Sequence, residues 1–159
     1  MTALDTRQVI DAIFADAATG DVDRVLRWWA PDGILEDVTL ARAFHGHAEI
    51  GPYLEMYYAA LPDVTYAPIR LVVSGATAVV EWAQPAVVAG AFDRVEATGR
   101  RLFLHALDLF HVEGGLIRHE VSWYGDGWLR QRLDGSAATD APPELPVTPP
   151  VGPSGLRFG

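Results

Sequence analysis

The spacing of apolar residues changes once along this chain, near Val64, and that change constrains the fold more than any other feature. Before it, apolar residues recur at helical spacing. After it, runs rich in Val, Leu, Thr and aromatic residues are separated by turns that contain glycine. Helices followed by strands predict an α+β fold, with the helices on one face of a curved sheet. A chain of 159 residues has room for one such domain.

Two helices are predicted in the first 30 residues. Asp5 and Gln8 have the spacing of a capping box and precede an apolar stripe, so the first helix begins there. Asp21 can cap a second helix that carries Trp29 on its inner face. The turn residues at 31–33 are expected to end that helix.

A short extended segment at 34–37 is predicted next, followed by an irregular stretch up to residue 46. The third helix is expected to begin near 49–51, because Pro52 is tolerated only in a first turn unless the helix kinks. Pro85 predicts a bulge or an edge position in the second long strand. Four long strands are predicted, joined in part by hairpins that make the sheet largely antiparallel. They cover residues 64–73, 77–89, 99–111 and 116–124.

Composition excludes several classes of chemistry. The chain has no Cys, no Lys and no Asn, which removes thiolate and Schiff-base catalysis, zinc–thiolate sites and N-glycosylation. A net charge of −9 argues against nucleic acid and anionic membranes as partners. No apolar run is long enough to span a bilayer and no signal pattern is present, so a cytoplasmic protein is expected.

The composition changes after Leu133. Residues 1–133 are expected to form the domain, and residues 134–159 form a proline-rich tail. The tail is either a disordered, polyproline-like extension or an arm that docks on a groove of this or a neighbouring subunit. Its apolar residues would make such a contact: Leu145, Val147, Val151, Leu156 and Phe158.

Two aspartates are the strongest candidates for chemistry. Asp108 lies in a strand whose neighbours are almost all apolar, so burial should raise the pKa of its carboxyl and suit it to proton transfer. The alternative is a structural acid paired with an arginine such as Arg70 or Arg101. Asp37 ends a short apolar strand where a pocket mouth would lie, although an ordinary loop acid fits the pattern as well.

Histidines and aromatic residues supply further candidates. His105 is a possible catalytic assistant to Asp108, although their odd spacing puts them on opposite faces of a regular strand. His45 and His47 form an H-x-H pair with no third ligand nearby, so no metal is expected. The residues expected to line an apolar pocket are Phe14, Trp29, Tyr57, Trp82, Phe110, His119 and Trp123.

An ordered set of short motifs from residue 5 to about 133 resembles the SnoaL-like polyketide cyclases. That family belongs to the nuclear transport factor 2-like superfamily, which includes the ketosteroid isomerases. The motifs are Gly20-Asp-Val-Asp, Ala30-Pro-Asp-Gly, Glu36-Asp37, Gly46-His-Ala-Glu-Ile50, Leu61-Pro-Asp63, Val80-Glu-Trp82, Thr98-Gly-Arg-Arg101, Leu107-Asp-Leu-Phe110 and Gly115-Leu-Ile117.

The resemblance implies a cone-shaped sheet around an apolar pocket, in a protein that usually dimerises. It places Asp37 where the isomerases carry their general base and Asp108 where they carry a hydrogen-bond-donating acid. Ile13 stands where those isomerases carry their catalytic Tyr, so a proton-transfer reaction other than steroid isomerisation is implied. Polyether ring-forming members of the superfamily also use paired pocket carboxylates.

Together these observations predict a cofactor-independent acid–base enzyme acting on a hydrophobic small molecule. The reaction would be cyclisation, isomerisation, dehydration or epoxide opening, with Asp37, Asp108 and His105 as catalytic candidates. A non-catalytic ligand-binding or dimerisation module of the same fold is the alternative. A homodimer is expected because the later strands are apolar on both faces, with Phe103, Leu107, Leu109 and Val121 as candidates for the second buried surface.

Overall fold

The computed structural model describes residues 4–63, 66–91, 99 and 101–124, with the backbone alone at 84–86 and 101–103. Three helices and six strands follow one another along these residues. The helices are α1 (Thr6–Ala17), α2 (Val22–Leu26) and α3 (Gly46–Ala60), and the strands are β1 (Trp29–Asp37), β2 (Arg42–His45), β3 (Ala67–Ser74), β4 (Thr77–Val87), β5 (Arg101–Glu113) and β6 (Leu116–Tyr124). The tail predicted at 134–159 lies outside the described residues.

The six strands form one sheet in the order β2-β1-β6-β5-β4-β3. Neighbouring strands are antiparallel except β1 and β6, which run parallel. The sheet is curved and unclosed, and the helices cover its concave face. This architecture confirms the predicted α+β fold and the largely antiparallel pairing.

Alternation along β5 separates the two faces of the sheet. Leu104, Ala106, Asp108, Phe110 and Val112 are all buried on the concave face. The residues between them point to the convex face, as expected for a side-chain period of two. Asp108 is therefore an acid placed in the middle of an otherwise apolar row.

The concave face and the helices share one core. From α1, the residues predicted as an apolar stripe pack inward, and the capping box of Asp5 and Gln8 is present. From α3, both aliphatic and aromatic side chains are buried. The largest fully buried side chains include Trp29, Phe110, Ile10, Ile50 and Ile117.

The second helix is shorter than predicted. It ends at Leu26, and Trp29 already belongs to β1, where it pairs with Ile117. The turn residues at 31–33 do not end an element but lie within β1, where the register with β6 shifts between Trp29 and Ile34. Pro31 is accommodated in this segment because a residue inside a register shift does not have to donate a backbone N–H to the neighbouring strand.

The third helix begins earlier than predicted, at Gly46, so Pro52 lies inside it. Strand β2, which precedes it, was not predicted either. Gly46 has a φ of +65°, and a Cβ there would lie 2.7 Å from the carbonyl oxygen of Pro31. This close approach packs the start of α3 against β1.

The four long strands lie close to their predicted ranges. Pro85 pairs with Phe103 of β5, on one side of β4. On the other side, the pairing of β4 with β3 ends at Ala83, which pairs with Ala67, so Pro85 has no partner in β3. That is the edge position expected of a strand proline. None of the helices in the described ranges combines the length and apolarity that crossing a bilayer requires.

The convex face carries several exposed apolar side chains. Leu107 is 43% and Val72 is 58% exposed. Leu109 and Val121 pair with each other in the same face and are half-buried. The side chain of Phe103 lies outside the described part. The predicted homodimer interface remains a prediction.

Candidate active site

A cavity lies between the helices and the concave face of the sheet. It encloses about 980 Å³, counting the space at its open mouth. Most of its wall is apolar or aromatic, as in many small-molecule sites. Five of the residues expected in a pocket line it: Phe14, Trp29, Tyr57, Trp82 and Phe110.

The polar part of the wall comes from β5 and β6. Glu120, Ser122 and Tyr124 occupy every second position of β6, so all three point into the cavity. Ser122 pairs with Asp108 on β5 and with Asp37 on β1. The two aspartates therefore share one row of the concave face, separated by a single strand, which places them about 10 Å apart at the backbone.

Asp108 is held by two side-chain donors. The Ser122 hydroxyl donates to its Oδ1 at 2.6 Å, and the indole N–H of Trp82 donates to its Oδ2. Burial raises the pKa of Asp108 from its usual value to about 7, with a smaller contribution from Asp37, although both donors act to lower it. Both protonation states are therefore populated near neutral pH.

Packing fixes the orientation of Trp82. The ring of Tyr66 meets the indole edge-on at a centroid distance of 5.1 Å. Tyr66 is in turn hydrogen-bonded to Tyr58, and burial raises the pKa of both phenols, so both stay protonated. The aromatic contacts thus aim the indole N–H at Asp108.

Glu120 is the second acid that lines the cavity. Burial raises its pKa well above the usual value, and the nearby Asp108 and Asp37 raise it further. Within the described residues its carboxyl has no hydrogen-bond or ion-pair partner. An acid whose neutral form is favoured therefore lines the apolar cavity.

Asp37 occupies a different environment. It is fully buried and is not among the residues that line the cavity. Its Oδ2 accepts hydrogen bonds from the hydroxyls of Tyr53 and Tyr124, each at 2.8 Å. Its Oδ1 accepts the backbone N–H of Leu40 at 2.9 Å. The two tyrosines line the cavity, so Asp37 lies behind them and reaches the cavity through their phenol groups.

Three other predicted site residues lie on the convex face. His105 Nε2 is 3.0 Å from Glu81 Oε1, and His119 Nε2 is 2.7 Å from Glu36 Oε1. Trp123 is 39% exposed. The structure does not bring these side chains to the cavity, because inward positions of β5 and β6 alternate with theirs.

Arg70 forms its ion pair with Glu81 at 3.3 Å, on the convex face. Asp108 has no ion pair with any of the described residues. The side chain of Arg101 lies outside the described part. Of the H-x-H pair, His47 Nε2 lies 3.0 Å from the carbonyl oxygen of Trp29. The described ranges contain no cluster of three groups suited to hold a metal ion.

The sequence signal for Glu120 and Tyr124 was their shared strand face, opposite to His119 and Trp123. Strand alternation alone does not say which face points inward. Residues 119–124 show no further pattern that would distinguish the buried face from the exposed one. Tyr53 and Ser122 matter through their hydrogen bonds to Asp37 and Asp108. Their partners lie 16 and 14 residues away, and no local pattern links them.

The curved sheet and the helices form a cone-shaped α+β fold, and two acids with raised pKa values line the apolar cavity inside it. The family profile described as SnoaL-like domain matches residues 10–120. The chain belongs to this family. No curated protein matches the chain.

Solved structures with the same fold share little sequence with the chain. A SnoaL-like polyketide cyclase, provisionally assigned, from Jannaschia sp. CCS1 superposes with a TM-score of 0.74 at 13% identity, covering 80% of this chain and 90% of that one. AclR from Streptomyces galilaeus, provisionally assigned as a hydroxylase, gives 0.71 at 17% identity, covering 84% and 83%. TerC, co-crystallized with polyporic acid, gives 0.68 at 16% identity, covering 81% and 98%. At these identities the likeness establishes the fold alone.

Proposed function

We propose that the protein is an acid–base enzyme that transfers protons on a hydrophobic small molecule, in a cyclisation, isomerisation, dehydration or epoxide opening. One observation carries the proposal: Asp108 faces an apolar cavity with a pKa of about 7. A general acid or base works best when its pKa lies near the working pH. The cyclases and the hydroxylase among the similar structures support a role in secondary metabolism.

Asp108 is the proton-transferring group in this proposal. As a carboxylate it takes a proton from the substrate, and as a neutral acid it donates a hydrogen bond to an oxygen that gains negative charge. Ser122 and Trp82 keep both carboxyl oxygens in place during either step. Such positioned proton transfer contributes typically ~10²–10⁴-fold in rate.

Glu120 supplies the second proton. Burial, and then repulsion from Asp108 and Asp37, raises the pKa of Glu120, so its neutral form is favoured when Asp108 is a carboxylate. The pair can then act as base and acid on two atoms of one substrate. No cofactor is proposed, because proton transfer between carboxyl groups and a substrate needs none.

The test uses 5-nitrobenzisoxazole, a flat apolar probe that reports a base in an apolar site. The base removes the proton from the ring carbon, the freed electron pair completes a nitrile, and the N–O bond breaks to leave a coloured phenolate. We expect the rate to rise with pH through about 7, following ionisation of Asp108.

Asp108→Asn should lose at least ~10²-fold of the rate, because an amide is not a base. Glu81→Gln is the matched control, since that carboxyl contacts His105 and Arg70 on the convex face. The proposal fails if Asp108→Asn keeps the wild-type rate, or if the wild-type protein is no faster than a free carboxylate at the same concentration.

A non-catalytic binding module is the second candidate. It is favoured by Asp37, whose three hydrogen bonds and complete burial are those of a structural acid. This alternative predicts that apolar ring compounds bind in the cavity while the benzisoxazole is not converted.

A further inference from the structure

Glu120 is an acid for which the described residues provide no partner. Its carboxyl forms no hydrogen bond and no ion pair with them. Neither carboxyl oxygen is among the buried polar atoms that lack a partner in this part of the chain, so both oxygens keep exposed surface. The side chain points inward on β6, beside Ser122, and lines the cavity, so this surface opens into the cavity.

The surroundings of Glu120 favour a ligand with a positive charge. Burial raises the pKa of its carboxyl, and the nearby Asp108 and Asp37 raise it further. None of the described residues that line the cavity is an arginine or a histidine, so no positive charge in this lining balances the acids. A neutral ligand would leave the repulsion among the acids in place. A basic nitrogen at Glu120 relieves it, because the ionised carboxylate then gains a charged partner.

Aromatic rings lie next to the same carboxyl. Phe110 pairs with Glu120 across β5 and β6, and directly paired side chains on one face of a sheet have Cβ atoms about 4.5–5.5 Å apart. Tyr58 also lines the cavity, and the pKa of its phenol is raised mainly by burial, with a smaller contribution from the nearby Glu120. Because the faces of aromatic rings attract cations, a nitrogen held at Glu120 is stabilised by these rings as well.

We infer that Glu120 is a binding site for a basic nitrogen, and that the cavity takes apolar ring compounds that carry an aliphatic amine. This inference rests on the proposed function in one respect, the use of the cavity for a small molecule. Glu120 gives its proton to the nitrogen and holds the resulting ammonium group as a carboxylate, while Asp108 remains the base. Since a free aliphatic amine is already an ammonium ion in neutral water, forming this pair with a neutral Glu120 releases a proton to the buffer.

Calorimetric titration of the wild-type protein compares 2-naphthylmethylamine with 2-naphthylmethanol, which has the same rings and no charge. At pH 6 the amine should release about one proton per bound molecule, measured in buffers of different ionisation enthalpy, and the alcohol should release none. At pH 8 the amine should bind about tenfold to hundredfold more tightly than the alcohol, the range for a hydrogen bond to a charged group.

Equal affinities without proton release would overturn the inference. Failure of the amine to bind would overturn it as well. The benzisoxazole assay uses a probe without a basic nitrogen, so it tells separately whether the proposed function fails too.

Glu120→Gln is the decisive variant, because the amide has the same size and cannot ionise. The proton release and the preference for the amine should both be lost, with little change in the affinity for the alcohol. Proton release that persists in this variant would refute the inference. Glu81→Gln is the matched control on the convex face and should keep both properties; losing either would count against the site. Thermal melts of each variant establish that it is folded.

The net charge of −9 attracts cations to the whole surface, so the preference is also measured at high salt. Dissolved ions screen charges on the surface and screen an enclosed pair much less. The preference for the amine should therefore survive about 0.5 M sodium chloride. A preference that disappears at this concentration belongs to the surface and would overturn the inference.

Discussion

Replacing Asp108 with Asn should make the protein more stable at alkaline pH and change the pH dependence of its stability. In the unfolded chain the carboxyl has its ordinary pKa, 3.8, and in the folded protein its pKa is about 7. The native state therefore binds more protons than the unfolded state between pH 4 and pH 7. The contribution of Asp108 to the free energy of unfolding is full below pH 4 and is lost as the pH rises to 7. Each unit corresponds to 1.36 kcal/mol, which gives about 4 kcal/mol for the buried carboxylate above pH 7.

An asparagine fits the same place without that cost. Its oxygen can accept from the Trp82 indole, and its NH₂ can donate to Ser122, whose hydroxyl can turn to accept. Both buried partners keep a hydrogen bond. The variant should then match the wild type below pH 4, exceed it increasingly as the pH rises, and be about 4 kcal/mol more stable above pH 7.

Urea denaturation of both proteins from pH 4.5 to 8.5 measures the difference. The two free-energy curves should diverge with pH, and Glu81→Gln should run parallel to the wild type because that carboxyl lies on the convex face. Parallel curves for Asp108→Asn would refute the burial argument. A loss of 3–5 kcal/mol at every pH, the range for breaking a buried ion pair, would instead make Asp108 a structural residue.

Three further outcomes are expected. Ser122→Ala removes a hydrogen bond that lowers the pKa of Asp108, so the midpoint of the benzisoxazole pH–rate profile should move above 7; an unchanged or lower midpoint would contradict this. Gly46→Ala places a Cβ 2.7 Å from a backbone oxygen and should destabilise the protein, as measured in urea. Gly75→Ala is its control, because Gly75 has a similar φ but faces open space. The control should cost roughly 1–2 kcal/mol, and Gly46→Ala should cost more. Light scattering should give twice 17.3 kDa at micromolar concentration, and Leu107→Glu on the convex face should reduce it to the monomer; a wild-type monomer would refute the dimer.

The sequence predicted the elements better than the site. Strong periodicity and the capping box located α1 and the long strands, because those signals are local. The start of β1 was missed because Pro31 and Gly33 are turn residues by composition. They lie within a strand because Trp29 before them and Ile34 after them pair with β6. Local signals were insufficient wherever a distant partner decided the conformation.

For the site, the apolar setting of Asp108 was enough to predict its raised pKa. The setting of Asp37 was not, because its three donors come from three separate segments of the chain. The residues next to Glu120 in the sequence did not distinguish it from Glu113 or Glu36 on the neighbouring strands. Its inward direction follows from the register of β6 with β5, which a single sequence does not specify.

The parallel junction of β1 with β6 has a consequence for how the cavity is made. Thr39 and Tyr124 are hydrogen-bonded across 85 residues of chain, and the row of Asp37, Ser122 and Asp108 crosses the same junction. Closing so long a loop is slow compared with forming hairpins such as β3–β4 or β5–β6. We therefore expect the hairpins to form before the row of Asp37, Ser122 and Asp108 is assembled. The acid row of the cavity is therefore completed only when β1 pairs with β6.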